Sequence, residues 1–302
     1  MKIRILLPSA VITTLSCLLI YAFVSGVDVY AQRARIAGGA VKPTASVAKV
    51  ETRSTAYGKA AGMNSRLRSS LQWTFGGKAQ TGWDIYVPLI CHTVGTDGDP
   101  ASEDFATAIA KWQSAAGLPE TGVIDSSTLE TFTRHWQSRR LGRFGLSSGD
   151  LLLSAPIAEF FDPTRSPDLL QLEQETYAAY RRMIAAAAVD LKDELKLTAN
   201  GELDPSEKFL RIVSAYRSPE YQALLRKREP NAGRVALAKN SPHSTGHALD
   251  IYVGGEPVKT LDSNRLIQIQ TPVYKWLVKN AERFGFYPYF YEPWHWEYVP
   301  GR

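Results

Sequence analysis

The second half of the chain has apolar positions at both helical and strand spacing. A segment rich in Ala, Glu, Lys and Leu predicts a long helix at about 169–197, and Pro272 opens another helix that ends near Phe284. Apolar or alternating runs predict strands at 209–213, 248–253 and 294–298. This order of elements predicts an α+β domain over residues 145–302, with helices packed against one small, mostly antiparallel sheet.

An earlier segment has the pattern of a helical hairpin. Ser102 can cap the start of a helix, and large apolar residues follow it on one face at helical spacing. These residues are Phe105, Ile109 and Trp112. Gly117 ends this helix, and a second helix is predicted from about Asp125 to Phe132.

Four stretches of this hairpin occur in the same order in a known module. They are Phe105–Gln113, Ala116–Pro119, Thr121–Asp125 and Thr128–Leu129. Together they resemble the peptidoglycan-binding repeat domain that accompanies many cell-wall hydrolases. The resemblance implies a small all-α three-helix module over residues 71–138 that docks on the wall polymer.

The N-terminus has the pattern of a targeting segment. Lys2 and Arg4 precede an uncharged, apolar run from Ile5 to Val27. Two interpretations of residues 1–31 stay open: a cleaved signal peptide, or an anchor that holds the chain in the inner membrane through residues 5–27. Either one predicts export of the rest of the chain to the periplasm or cell envelope. Residues 32–70 have few large apolar side chains and are predicted to be a linker.

Composition and charge narrow the class of partner. The chain of 302 residues is 44% hydrophobic and 22% charged, which is ordinary for a folded protein. Its net charge of +5 suits a polyanionic partner such as the cell wall or a membrane surface. The sequence has neither a recognition-helix signature nor a clustered basic stripe, so no nucleic acid partner is expected.

Three of the five histidines lie in the second half of the chain. A catalytic zinc takes three protein ligands, typically His, Asp, Glu or Cys, and keeps one position open. A turn followed by a strand can aim His243 and Asp250 at one point, and His295 would join them from the final strand. On that strand, Glu297 shares the face of His295.

The same region offers a base and a cation. Glu292 stands three residues before His295, where it suits a base that takes a proton from the attacking water. Arg217 follows a predicted strand and can hold a substrate carboxylate or a developing oxyanion. Considered singly, each residue also has a structural interpretation: Asp250 as a cap, Arg217 in a surface ion pair, Glu292 in a solvated loop.

Considered together, three motifs resemble a known family. They are Tyr216-Arg217-Ser218-x-x-Tyr221-Gln222, Ser241-x-His243-x-x-Gly246-x-Ala248-x-Asp250 and Glu292-x-x-His295. The set resembles the VanY-like D-alanyl-D-alanine carboxypeptidases, which are grouped with D-Ala-D-Ala dipeptidases and some peptidoglycan endopeptidases. The resemblance covers about 150 residues, the size of a full domain.

This resemblance implies a role for each motif residue. It implies zinc ligands at His243, Asp250 and His295, a catalytic base at Glu292, substrate binding and transition-state stabilisation by Arg217, and a substrate contact at Ser241. The first expectation is a zinc D,D-carboxypeptidase that removes the terminal D-Ala of a peptidoglycan stem peptide. An endopeptidase that cuts the stem or cross-link is an alternative. An inactive wall-binding protein is another, although the complete set of ligands and base argues against it.

His247 occupies a position that the family motif leaves variable. A helical metal pair of His243 and His247 is disfavoured, because Ser244 stands where such enzymes have a glutamate and Gly246 weakens a helix. His247 is therefore predicted to be a cleft-rim or packing residue.

Overall fold

The computed structural model describes residues 45–142, 149–229 and 241–301, with side chains from Tyr57 onward. The chain from Ala45 onward forms one compact unit. The predicted signal or anchor segment at residues 1–31 lies outside the described residues. Within the described ranges, no helix is long and apolar enough to cross a membrane.

The N-terminal part of this unit is mostly helical. Its elements are α1 (Ala45–Ser70), β1 (Gln72–Phe75), β2 (Lys78–Thr81), α2 (Val87–Val94), α3 (Glu103–Ala115) and α4 (Ser126–Arg139). Ser102 caps α3 by accepting a hydrogen bond from the Phe105 N–H at 3.1 Å. Asp125 caps α4 by accepting one from the Thr128 N–H at 2.8 Å. The predicted helical hairpin is thereby confirmed.

The C-terminal part combines helices with a four-stranded sheet. Its elements are β3 (Leu152–Ser154), β4 (Gln171–Glu173), α5 (Gln174–Asp190), β5 (Ile212–Ser214), α6 (Pro219–Arg228), β6 (Ala248–Ile251), α7 (Asp262–Gln270), α8 (Pro272–Asn280), β7 (Phe286–Pro288) and β8 (His295–Tyr298). The sheet has the order β5-β6-β8-β7, and all its neighbouring strands are antiparallel. The predicted α+β class is confirmed.

Several element boundaries differ from the predicted ones. Helix α5 is shorter than predicted because Glu173 caps it, accepting a hydrogen bond from the Thr176 N–H at 2.9 Å. The residues just before it pair with β3 as strand β4 instead of extending the helix. Helix α7 was not predicted, and its first turn has no capping side chain that would have marked its start.

The expected linker over residues 32–70 is wrong for its second part, which is helix α1. Ala60 and Ala61 are buried in a small core with Ala106 and Val123. The fully buried Asn64 donates to the Gly122 carbonyl at 2.8 Å and accepts from the Ile124 N–H at 2.9 Å. Small side chains and one buried amide hold α1 in place, and neither has the large apolar pattern from which helices are predicted.

One hydrophobic core runs through both parts of the unit. The ring of Phe290, in the loop before β8, lies 4.7 Å from Phe75, 5.4 Å from Tyr86 and 5.7 Å from Trp136, measured between centroids. These partners belong to β1, the segment before α2, and α4. The boundaries predicted at residues 138 and 145 thus separate two segments with different sequence motifs. Both segments contribute side chains to the same hydrophobic core.

Replacing Asn64 with Ala tests whether α1 belongs to the folded unit. The change removes both side-chain hydrogen bonds and leaves a buried carbonyl and a buried N–H unpaired, each at a cost of about 1–3 kcal/mol. We expect the free energy of unfolding in urea to fall by about 2–4 kcal/mol. Ser65→Ala, at an exposed neighbouring position of the same helix, is the control and should change little. Equal stabilities for the two variants would mean that α1 contributes nothing.

Candidate metal centre

A tight turn places the first candidate ligand. Residues Pro242–Thr245 form one short 3-10 turn that contains His243 and ends at Gly246, which has φ +76°. A Cβ at Gly246 would lie 2.9 Å from the Glu173 backbone nitrogen, so both the positive φ and the close approach require glycine. The chain then enters β6, which contains Asp250.

Strand register places the other two candidates. Asp250 on β6 lies directly opposite His295 on β8 and, on the other side, Ser214 on β5. One ligand atom from each of His243, Asp250 and His295 lies within 4.8 Å of the others, and all three residues are buried. Asp250 Oδ1 is 3.3 Å from His243 Nε2 and 2.9 Å from His295 Nδ1.

The hydrogen bonds of each imidazole determine which nitrogen faces the cluster. His243 Nδ1 donates to the Ala215 carbonyl at 2.6 Å, so Nε2 carries the lone pair; it accepts from Arg217 Nη2 at 2.8 Å and lies beside Asp250. Burial and the nearby Arg217 guanidinium lower the pKa of His243 to about 4, which keeps it neutral. On the other imidazole, His295 Nε2 donates to Glu297 Oε1 at 3.1 Å and Nδ1 donates to Asp250 Oδ1 at 2.9 Å; although burial lowers the pKa of His295, these two carboxylates raise it to about 9 in the metal-free site.

The donor set fits a zinc ion. Two imidazole nitrogens and one carboxylate oxygen form a recognised catalytic zinc set, and each imidazole is oriented by an oxygen acceptor on its other nitrogen. Burial alone would raise the pKa of Asp250, but the Arg217 guanidinium and the hydrogen bond from His295 hold the pKa well below its usual range, so the carboxylate is ionised.

Arg217 lies against this cluster. Its Nη2 donates to Asp250 Oδ2 at 2.7 Å and to His243 Nε2 at 2.8 Å. Its Nε donates to Ser214 Oγ at 3.0 Å, and Nη1 to Gln222 Oε1 at 3.3 Å. The surface ion pair considered from the sequence is therefore excluded, since Arg217 is only 9% exposed.

Glu292 is buried in the turn that leads into β8. Its N–H bonds to the Tyr289 carbonyl at 3.0 Å, and its own carbonyl accepts from the His295 N–H at 2.9 Å. Burial raises the pKa of Glu292 to about 8, and the nearby Asp250 charge acts in the same direction. It is therefore a buried carboxyl group that holds its proton near neutral pH, and the solvated-loop interpretation is excluded.

Asp250, Arg217 and Glu292 border one cleft of about 630 Å³. Its lining includes Arg165, Arg217, Tyr221, Asp250, Glu292 and Trp294. Arg165 has no place in the three motifs, and nothing in its local sequence marks it as a cleft residue. The cleft places Arg165 and Arg217 near two buried carboxyl groups of different pKa, Asp250 and Glu292, an arrangement suited to binding an anionic substrate and moving a proton.

Two further residues of the motifs lie beside the cluster. Ser241 is buried at the start of the turn, and its carbonyl accepts hydrogen bonds from the N–H and the hydroxyl of Ser244. His247 Nδ1 lies 2.8 Å from Thr176 Oγ1 and 3.6 Å from Glu173 Oε2. His247 is therefore outside the group of three candidate ligands and packs against Thr176 and Glu173, which agrees with the second of the two roles predicted for it.

The match with known proteins falls on the same region. Residues 169–301 match the family model of VanY, D-alanyl-D-alanine carboxypeptidase. This match supports a peptidase of the D-Ala-D-Ala carboxypeptidase type in this part of the chain. No curated protein matches the sequence. The matched segment begins after α4, so the resemblance of residues 71–138 to a peptidoglycan-binding module stays a prediction.

The raised pKa of Glu292 predicts a pH-dependent stability in chelator-treated protein. The folded state binds this proton more tightly than the unfolded state, whose carboxyl has a pKa near 4.5. Ionising Glu292 therefore costs stability as pH rises from about 4.5 towards about 8. We expect the melting temperature of Glu292→Gln, relative to wild type, to increase across that interval. Glu229→Gln, at an exposed residue of the same cleft, is the control. A difference that does not vary with pH would contradict the assignment.

Proposed function

We propose that this protein is a zinc-dependent D,D-carboxypeptidase that removes the terminal D-Ala from peptidoglycan stem peptides. The supporting observation is the convergence of His243, Asp250 and His295 beside a buried Glu292 and Arg217, within the matched region. The three converging residues would hold the zinc ion. When bound, zinc supplies Lewis-acid chemistry, since it polarises the scissile carbonyl and makes water a stronger acid.

Glu292 is the general base of the proposed reaction. Its carboxylate takes the proton from the attacking water and then gives it to the leaving amine. The pKa of about 8 belongs to the metal-free site; the charge of a bound zinc ion would lower it, so Glu292 would be a carboxylate that can accept the proton near neutral pH. Desolvation by the surrounding protein, rather than a partner charge, is the main cause of that value.

Arg217 stabilises the negative charge that develops on the scissile carbonyl oxygen. Ser214 and Gln222 fix the position of its guanidinium before substrate arrives, so little reorganisation is needed during the reaction. Ser241, at the start of the His243 turn, is proposed as an additional substrate contact.

Arg165 is proposed to bind the C-terminal carboxylate of the substrate. Its guanidinium donates to the carbonyls of Leu169 at 3.1 Å and Val213 at 2.6 Å, and its Nη2 lies 3.5 Å from Ser214 Oγ. None of these hydrogen-bond partners is a carboxylate. The Ser214 hydroxyl also accepts from Arg217, so the two arginines lie side by side on one wall of the cleft. A free carboxylate on the residue after the scissile bond is a feature that every carboxypeptidase substrate has.

The remaining parts of the proposal concern location. The helical segment 71–138 is proposed to dock on the wall polymer, which raises the local concentration of the enzyme on its substrate. The apolar N-terminal run is proposed to export the protein to the periplasm or cell envelope, either as a signal peptide or as an inner-membrane anchor.

A product analysis tests the proposed reaction. Protein is incubated with a pentapeptide-stem muropeptide, with chelator or with added zinc, and the products are weighed by mass spectrometry. Loss of one alanine that stops with chelator and returns with zinc is the expected result. A larger zinc-dependent loss would indicate an endopeptidase. No product from zinc-loaded protein would favour the inactive wall-binding alternative.

Replacing Glu292 with Gln tests the base. The amide cannot take a proton from water, so we expect kcat/KM to fall by about 10²- to 10⁴-fold while zinc content is unchanged. Glu229→Gln should retain activity, because that residue is exposed at the edge of the cleft. Near wild-type turnover in Glu292→Gln would exclude this role.

Replacing Arg165 with Met tests the carboxylate site. Wild type should prefer a peptide with a free C-terminus over the same peptide as a C-terminal amide. In the variant, the ratio of kcat/KM for the acid to kcat/KM for the amide should fall about 10- to 100-fold, as expected when one charged hydrogen bond is lost. Lys259→Met removes another cation of the cleft that is already paired with Glu256, and should keep the preference. An unchanged acid-to-amide ratio in Arg165→Met would rule out the assignment.

A further inference from the structure

The end of α4 reaches the candidate metal centre through a buried ion pair. Helix α4 stops at Arg139, and Arg140 continues in extended conformation. The Arg140 guanidinium forms an ion pair with Glu297 on β8, and it lies 4.0 Å over the ring of Tyr289. Its Nη1 also donates to Gln137 Oε1 at 2.7 Å. The arginine is thereby held in one orientation by contacts on several sides.

Glu297 is the acceptor that orients His295. Its Oε1 accepts from both His295 Nε2 and Arg140 Nη2, and its Oε2 accepts from the Leu141 N–H at 3.0 Å. Glu297 is fully buried. A buried carboxylate is stable only when its charge is paired and its oxygens are hydrogen-bonded. Two of its three donors come from residues 140 and 141, outside the segment 169–301 that matches the peptidase family.

We propose that Arg140 and Leu141 are positioning residues of the metal centre, which act on His295 through Glu297. An acceptor on the outer nitrogen of a ligating histidine fixes its ring and makes it a stronger donor. Here that acceptor is itself held by the residues that follow α4. The helical part therefore completes the metal site, in addition to any docking on the wall. This inference rests on the proposed metal role of His243, Asp250 and His295.

The adjacent arginine provides a matched comparison. Arg139 forms an ion pair with Glu282, and both side chains are about 34–44% exposed. It is the same residue type at the end of the same helix, but its pair lies away from the three candidate ligands. A general effect of charge on α4 would appear in variants at either arginine, whereas positioning of His295 requires Arg140.

The experiment measures zinc affinity of the full chain by competition with a chromophoric chelator, so it does not depend on hydrolysis. Glu297→Gln should weaken zinc binding by about 10- to 100-fold, as expected for a partner of a metal-binding histidine. Arg140→Gln should weaken it by at least about tenfold, Arg140→Lys should restore part of the loss, and Arg139→Gln should match wild type. In the Glu297→Gln background, Arg140→Gln should have no further effect, because its action passes through Glu297.

Each alternative result is informative. Wild-type zinc affinity in a folded Arg140→Gln protein would overturn the inference, as would equal losses in Arg139→Gln. Additive losses in the double variant would also overturn it, since they would mean that Arg140 acts independently of Glu297. Should Arg140→Gln fail to fold, the Glu297→Gln and Arg140→Lys proteins still decide the point. A wild-type protein that binds no zinc would instead contradict the proposed function itself.

Discussion

The buried carboxylate of Asp250 is the group on which the geometry of the site depends. A buried charge is costly unless partners surround it, and this one is contacted by His243, His295 and Arg217. The partners come from the turn before β6, from the neighbouring strand β8 and from the loop after β5. Each of these elements must therefore keep its conformation if the charge of Asp250 is to stay paired. The positions of the candidate site residues thus depend on the strand register.

Strand β8 shows how strict that requirement is. His295 and Glu297 point to one face of the strand, and Trp296 packs in the hydrophobic core on the other. A slip of one residue would exchange the two sets, placing charged groups in the core and an indole beside the other two candidate ligands. The strand is buried on both faces, so its polar face has to be satisfied by protein groups rather than by water.

The chemistry of the site could be predicted where its residues lie in short local motifs. His243 and Asp250 belong to one turn and strand, and Glu292 precedes His295 by three residues; this spacing allowed a cluster, and the resemblance of the combined motifs to a known family singled it out. Arg140 and Arg165 could not be found in this way. Arg140 meets Glu297 across 157 positions of sequence, and Arg165 meets Val213 across 48, so only the tertiary fold brings them together. For the same reason α1 was not predicted, since the hydrogen-bond partners of Asn64 lie 58 and 60 residues away in the sequence.

The central position of β8 in the sheet has a consequence for how the candidate metal centre is assembled. The strand lies between β6 and β7, and it carries the third candidate ligand 45 residues after Asp250. A ribosome makes His295 after the other two, and the sheet cannot close until β8 has inserted. The three candidate donors can therefore meet only after the last strand of the sheet has been made and has paired with β6.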